Sequence, residues 1–302
     1  MNVPPGQPAD PEEAAQQQVC ARHPDRPTGL RCTRCERPAC PECLREASVG
    51  YHCVDCLAQS RRGGREAVTV AGAKLSGKPI VVPVLIVLNV LAYAVTAIQA
   101  GSFQNYNDSA QLFHQFSLWP VGVAGGQWVR LIVSGFLHFG PIHLLMNMVA
   151  LWVIGRDLET VLGRLRFTSV YLLSLLGGST AVFLFDGIDT SVAGASGAVY
   201  GLMGGIAVAA LRLKVSLRPV LIVIALNIVL SVSIPGISLL GHLGGIVLGA
   251  AATAAMVYAP RERRNQLQAG ALGGLLVVLL VLLIVRDAQL GEWVCAGMRC
   301  YR

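Results

Sequence analysis

Residues 80–98 read IVVPVLIVLNVLAYAVTAI, a run without one charged side chain. A helix crosses a bilayer in about 20 such residues, because each adds about 1.5 Å against an apolar core about 30 Å thick. Six further runs of this kind follow at roughly 132–155, 167–185, 195–211, 219–235, 238–258 and 269–285, the fourth and fifth short and rich in small residues. They predict an all-α polytopic membrane protein. Composition agrees: 24 Lys+Arg and 17 Asp+Glu make 14% of 302 residues, against roughly 25% in soluble domains. That deficit excludes an ordinary soluble enzyme. The net charge of +7 falls mostly beside apolar runs, so it reads as a topology signal, and nucleic acid is not an expected partner.

Basic residues are retained on the cytoplasmic side of a membrane. The linker at 61–79 before span 1 and the segments between spans 2–3, 4–5 and 6–7 hold 14 Lys and Arg, whereas the opposite side holds only Arg130, Arg286, Arg299 and Arg302. The expected placement is a plasma membrane with the N-terminus cytoplasmic and the C-terminus outside. Residues 1–17 are Pro-, Gln- and acid-rich with little to bury and are expected to be disordered. Residues 18–60 form a cysteine-rich domain, 61–79 a basic linker, 80–260 a six-span core, 261–286 an extra C-terminal span and 287–302 an outer tail. Cys295 and Cys300 in that tail are expected to form a small-loop disulfide in an oxidising exterior.

Four pairs share one spacing in the first domain: Cys20 with His23, Cys32 with Cys35, Cys40 with Cys43, and Cys53 with Cys56. Eight soft ligands in such knuckles make two tetrahedral Zn²⁺ sites. A segment of about 40 residues has too small a core to fold unaided, so metal supplies much of its folding free energy. A cytoplasmic location keeps the thiols reduced. The interleaved order resembles cross-brace zinc domains of the B-box type, which implies that the first and third pairs share one ion and the second and fourth the other. His52, next to Cys53, is an alternative ligand for the second site. The spacing does not name a cytoplasmic partner.

Polar residues inside apolar spans are costly and ask for a reason. Span 2 reads FLHFGPIHLLMNMVALWVIG, with His138, His143 and Asn147; span 4 opens GASGAVYGLMGG, with Ser196 and Tyr200; span 6 reads SLLGHLGGIVLGA, with His242. The orientation puts all six in the outer half, where they can meet. A Ser within reach of a His is a nucleophile with its base, and nearby donors can hold an oxyanion. The expected spans contain no acidic residue to complete a triad, so the composition permits a dyad with Tyr200 positioning His242. A transporter would be expected to show an internal repeat or an intramembrane acid, and neither is found.

These residues resemble the rhomboid family of intramembrane serine proteases. The family's G-x-S-G motif is met by Gly194, Ala195, Ser196 and Gly197, its following Tyr by Tyr200, its His-x-x-Gly by His242 and Gly245, and its span-2 pattern by His138, His143 and Asn147. The resemblance implies a six-span core with one added helix. It also implies Ser196 as nucleophile, His242 as base with Tyr200 stacked on it, and an oxyanion hole from His143, Asn147 and the Ser196 N–H. The family's Trp-Arg pair in the first loop corresponds here to Trp128-Val129-Arg130. Substrates would be transmembrane segments of other proteins in the lipid bilayer, cut near the outer face with no catalytic cofactor. The alternative is a catalytically silent rhomboid-like scaffold that binds transmembrane clients. The first loop, about 99–130, is aromatic-rich and expected partly in the outer leaflet.

Overall fold

The computed structural model describes residues 18–63, 68–75, 78–104, 109–233, 236–291, 294–296 and 299–301; the disorder expected of 1–17 lies outside them. The chain divides into two compact units, Met1–Glu66 and Ala67–Arg302.

In the first unit, bridges join Val19 to Pro27 and Arg31 to Pro38. A 3-10 turn at Pro41–Cys43 leads into β1 (Leu44–Glu46), which pairs antiparallel with β2 (Tyr51–Cys53), and α1 (Val54–Gly63) follows. The buried core consists of Ala39, Leu44 and six cysteines. With two aliphatic side chains at its centre, hydrophobic burial alone does not account for a folded domain of this size.

The second unit begins with α2 (Val81–Ala100). Three short helices follow, α3 (Gln111–Phe116), α4 (Pro120–Ala124) and α5 (Arg130–Val133), the last continued by a 3-10 turn at Ser134–Phe136. Then come α6 (Pro141–Ala150), a π-helical turn at Leu151–Gly155, α7 (Arg156–Leu162), α8 (Arg164–Phe185), α9 (Ser196–Leu213), α10 (Arg218–Ser233), α11 (Leu239–Tyr258) and α12 (Arg264–Leu290). A hairpin of β3 (Val294–Ala296) and β4 (Arg299–Tyr301) places the backbones of Cys295 and Cys300 opposite one another. Their side chains, and with them the expected disulfide, lie outside the described residues.

Five helices are long and apolar enough to cross a membrane, namely α2, α8, α9, α11 and α12; a pair bent by 94°, Arg130–Phe136 with Pro141–Leu162, makes a sixth candidate. The helix α10 has 16 residues, about 24 Å at 1.5 Å per residue, so it falls short of a full apolar core. Span 2 differs from its sequence reading at both ends. Its helix starts at Pro141, after the extended Gly140, so residues 132–140 belong to the preceding loop structure and His138 lies in the break. A proline lacks the N–H that a continuous helix would need there. At the other end the helical path runs on to Leu162, past the charges that mark the end of the apolar run. Glu159 is the reason: 3% exposed, its Oε1 accepts the N–H groups of Ile80 (2.8 Å) and Val81 (3.0 Å) and its Oε2 that of Val82 (3.0 Å). These are the orphan donors of the start of α2, capped by a residue 77 to 79 positions away.

Within the stretch read as linker, residues 68–75 form a turn in which Ala71 is fully buried against the membrane core. The side chain of Gln268 on α12 donates to the carbonyls of Ala71 and Met256 and accepts from Arg166 of α8, while Arg286 donates to the Phe183 carbonyl near the other end of α12. The added helix is thus pinned at both ends.

At the centre, α8, α9 and α11 pack through small residues. A methyl group on Gly178 would lie 2.6 Å from the Gly241 carbonyl oxygen, and one on Gly245 or Gly249 would overlap the carbonyl of Gly197 or Gly201. Backbones this close require residues without side chains.

Candidate functional site

Ser196 is the first residue of α9, with Ala195 at its N-cap. No N–H in the first turn of a helix has an intrahelical acceptor, so the Ser196 N–H is available at the same point as its hydroxyl. Gly194 sets the approach. Its φ is +131°, and a Cβ there would lie 2.7 Å and 2.9 Å from Cε1 and Nε2 of His143 and 3.8 Å from the Ser196 hydroxyl oxygen. A side chain at 194 would therefore be strained and would displace His143. The glycine brings the imidazole of α6 and the hydroxyl of α9 to either side of one small space.

His143 and Asn147 share a face of α6 as their spacing predicts. The Nδ1 of His143 faces the backbone N–H of Phe139 at 3.5 Å, a long contact. With that N–H as donor, Nδ1 is the acceptor and the ring proton falls on Nε2, toward the Gly194 and Ser196 side. Asn147 is 6% exposed and donates from Nδ2 to the His143 carbonyl at 2.9 Å, which leaves its second amide hydrogen for another acceptor. His138 is fully buried, lies edge-on to His143 with ring centroids 5.1 Å apart, and has no hydrogen-bond partner on either nitrogen among the described residues.

His242 lies in the first turn of α11 and is 5% exposed. Its ring stacks on Tyr200, one turn along α9 from Ser196, with centroids 3.8 Å apart and planes 10° from parallel. The contact of Gly245 with Gly197 holds the two helix starts together. No hydrogen bond joins Ser196 to His242 among the described residues, a looseness common in free active sites. Nδ1 of His242 instead meets the Ser231 hydroxyl of α10 at 2.8 Å, and Ser231 in turn meets the Tyr200 hydroxyl at 2.8 Å. Sequence reading did not single out Ser231. The available signal was its four-residue spacing from Asn227 in an otherwise apolar helix, which puts two polar groups on one face.

Arg130 also finds a partner other than the one its sequence neighbourhood suggested. Buried to 1% exposure, its guanidinium lies over the ring of Trp119 at 5.9 Å, not over Trp128. It donates to Gln127 (2.6 Å) and to the carbonyls of His114 (2.9 Å) and Ser117 (2.7 Å). One side chain thus ties α3 and the following turn to α5 and organises the first loop. A polar hollow lined by His114, Ser117, Trp119, Arg130, Asp189 and Ser191 opens beside this hub and includes neither Ser196 nor His242.

In the first unit the eight ligand candidates separate into two groups, Cys20, His23, Cys40, Cys43 and Cys32, Cys35, Cys53, Cys56, with donor atoms within 4.8 Å of one another in each. This is the interleaved pairing, and the second group contains the Cys53 sulfur, not His52. A tetrahedral ion with bonds of about 2.3 Å to sulfur and 2.0–2.1 Å to nitrogen sets ligand separations of about 3.8 Å between sulfurs and about 3.5 Å between sulfur and nitrogen. Nδ1 of His23 lies 3.8 Å, 3.4 Å and 3.4 Å from the sulfurs of Cys20, Cys40 and Cys43, and the Cys35 and Cys53 sulfurs are 3.8 Å apart. The donor set fits zinc in chemistry and spacing. Ionisation of the thiols points the same way. The backbone N–H of Cys40 holds Cys20 down at about 6, and backbone N–H groups led by that of Cys53 outweigh burial to hold Cys32 at about 6. Burial and its neighbouring sulfurs push Cys43 up to about 11, and a hydrogen bond with Cys35 together with burial pushes Cys56 to about 12. Three thiols crowded together in the first group, or four in the second, cannot all ionise at neutral pH unless a cation neutralises them.

The fold and the site together define a polytopic helical membrane domain with a serine, histidines and an asparagine gathered at one end of its central helices. Residues 125–259 of the chain match the Rhomboid domain. Over 193 residues the chain is 33% identical to rhomboid protease GluP of Bacillus subtilis, covering 62% of the chain and 37% of that protein. Over 224 residues it is 31% identical to RHOMBOID-like protein 4 of Arabidopsis thaliana, covering 64% of the chain and 56% of that protein. A putative rhomboid protease, YdcA of Bacillus subtilis, is 40% identical over 84 residues, 28% of the chain and 42% of its own length. The chain therefore spans about a third to a little over half of these curated relatives. The similarities support a rhomboid family protein.

Proposed function

We propose that the chain is an intramembrane serine protease that cleaves transmembrane segments of other membrane proteins. The observation that carries this reading is the convergence of His143, from α6, and Tyr200-stacked His242, from α11, on the start of α9 at Ser196. The relatives named as proteases support it. In the proposed reaction the Ser196 hydroxyl oxygen attacks the scissile carbonyl carbon while its proton passes to Nε2 of His242. The tetrahedral oxyanion receives the Ser196 N–H, Nε2–H of His143 and the second amide hydrogen of Asn147. Collapse breaks the C–N bond, and His242 returns the proton to the leaving amine. Water, deprotonated by the same base, then hydrolyses the acyl-serine. The scissile segment must be extended, because a helix ties up its own carbonyls.

Gly194, Gly197 and Gly245 serve the site as the room that lets these side chains meet, and His138 supports His143 through ring contact. The membrane orientation proposed is N-terminus cytoplasmic and C-terminus outside, in a plasma membrane, on the asymmetry of basic residues. The first unit is proposed to hold two structural zinc ions, which supply folding free energy and take no part in peptide cleavage. A cytoplasmic partner for that domain is proposed without a stated identity.

The test is labelling of the detergent-solubilised protein with a fluorophosphonate probe, alongside cleavage of a model transmembrane substrate. Wild type should label and cleave, and Ser196→Ala should do neither. Capture of transmembrane clients by a wild type that never acylates would assign the protein to the scaffold alternative.

A further inference from the structure

We propose that Ser231 of α10 is a positioning residue that sets the tautomer and ring orientation of His242. This rests on the reading of His242 as the base. Of the 16 residues of α10, Ser231 is the one that is buried, at 4% exposure. Most of the other residues are exposed and apolar, with Val220, Ile224, Asn227 and Ile228 half-buried, and the one buried side chain is polar and faces the candidate base.

The role of His242 as acceptor of the Ser196 proton requires a bare Nε2 and a protonated Nδ1, and the hydrogen bonds around Ser231 accommodate that assignment. The Asn227 carbonyl can only accept, and it lies 2.8 Å from both the Tyr200 hydroxyl and the Ser231 hydroxyl. The Ser231 hydroxyl gives its one proton to this carbonyl, and the Tyr200 hydroxyl can give its own either there or to the Ser231 oxygen 2.8 Å away. The Ser231 oxygen is then left as an acceptor toward Nδ1 of His242 at 2.8 Å. Nδ1 carries the ring proton, and Nε2 is bare for the Ser196 proton.

Stacking on Tyr200 cannot do this alone. A parallel stack fixes the plane of the imidazole, but a half-turn about χ2 preserves that plane while exchanging Nδ1 for carbon. The hydrogen bond to Ser231 distinguishes the two orientations. Tyr200 and Ser231 thus supply, with neutral groups, the orienting role that a buried carboxylate fills in a triad. Because Ser231 belongs to α10, the setting of the base depends on α10 remaining docked.

The experiment uses the full chain in detergent with ¹⁵N-labelled histidine. Ser231→Ala should acylate with a fluorophosphonate about tenfold more slowly than wild type, the loss of one ordinary hydrogen bond expressed as a rate. Ser231→Thr, which keeps the hydroxyl, should stay within about threefold of wild type on the same scale. The ¹⁵N spectrum should show Nδ1 of His242 protonated in wild type and in Ser231→Thr, with that state depleted in Ser231→Ala; His242→Ala assigns the signal. Thermal unfolding checks that each variant is folded. Acylation of Ser231→Ala at the wild-type rate overturns the proposal, as does a slowed variant whose His242 tautomer is unchanged, since that is a packing effect alone. Failure of the underlying reading has a different signature: Ser196→Ala and His242→Ala would still label.

Discussion

Glu159 caps the first membrane helix from a distance, and its removal should be costly in a predictable order. In Glu159→Ala three N–H groups lose their acceptor. That of Val82 is fully buried, and those of Ile80 and Val81 are partly so. A buried donor left unsatisfied costs about 1–3 kcal/mol, less where water can enter, so the sum is about 3–5 kcal/mol. Glu159→Gln should cost less. Its carbonyl oxygen can take the place of Oε1 and keep both Ile80 and Val81, while its NH₂ group then confronts the Val82 N–H. One lost bond and the lost charge at a helix N-terminus amount to about 2 kcal/mol. At about 2–4 °C per kcal/mol for a domain of this size, the alanine variant should melt about 10 °C below wild type and the glutamine variant about 5 °C below. Intrinsic tryptophan fluorescence during heating in detergent measures both. An alanine variant melting within about 2 °C of wild type would refute the cap, since no solvation of three such donors is that cheap. Equal losses in the two variants would refute the division of labour between the carboxylate oxygens.

Four further outcomes follow from the structure. Double substitution of Ser196 and His242 by Ala should cost no more in acylation rate than either change alone, because groups acting as one unit are strongly non-additive; an additive loss would separate them. Gly245→Ala puts a methyl group against the backbone carbonyl of Gly197, a contact no rotamer can relieve, so it should destabilise by about 1–3 kcal/mol and slow acylation. A variant with wild-type melting and rate would show that α9 and α11 are not packed as described. Elemental analysis of the full chain should give two zinc ions, and Cys32→Ser should reduce the content toward one, since that residue belongs to a single group; loss of both ions would show that the two sites form one cooperative unit. With β3 and β4 pairing Cys295 opposite Cys300, alkylation without reductant should leave both unmodified, and ready labelling of both would rule out a disulfide.

The sequence by itself determined the class of the protein. Apolar runs and scarce charge specify a helical membrane domain because every backbone polar group in lipid must be satisfied within a helix or barrel. Four pairs at one spacing specify two groups of candidate metal ligands, because ligand number and spacing are written along the chain. Ser196, His242, His143 and Asn147 stood out because polar side chains are expensive in apolar spans. What escaped the sequence depends on which helix lies against which. The apolar run of span 2 did not show that the chain turns by 94° before Pro141, nor that Glu159, beyond the apolar run, belongs to the packed core as the cap of α2. Trp128 was nearer to Arg130 in the chain, but folding placed Trp119 beneath the guanidinium. Ser231 looked like any serine bonded back to the preceding turn, which it is. Only the approach of α10 to α11 turned its remaining lone pairs toward His242, and no pattern within one helix encodes a contact that a second helix must complete.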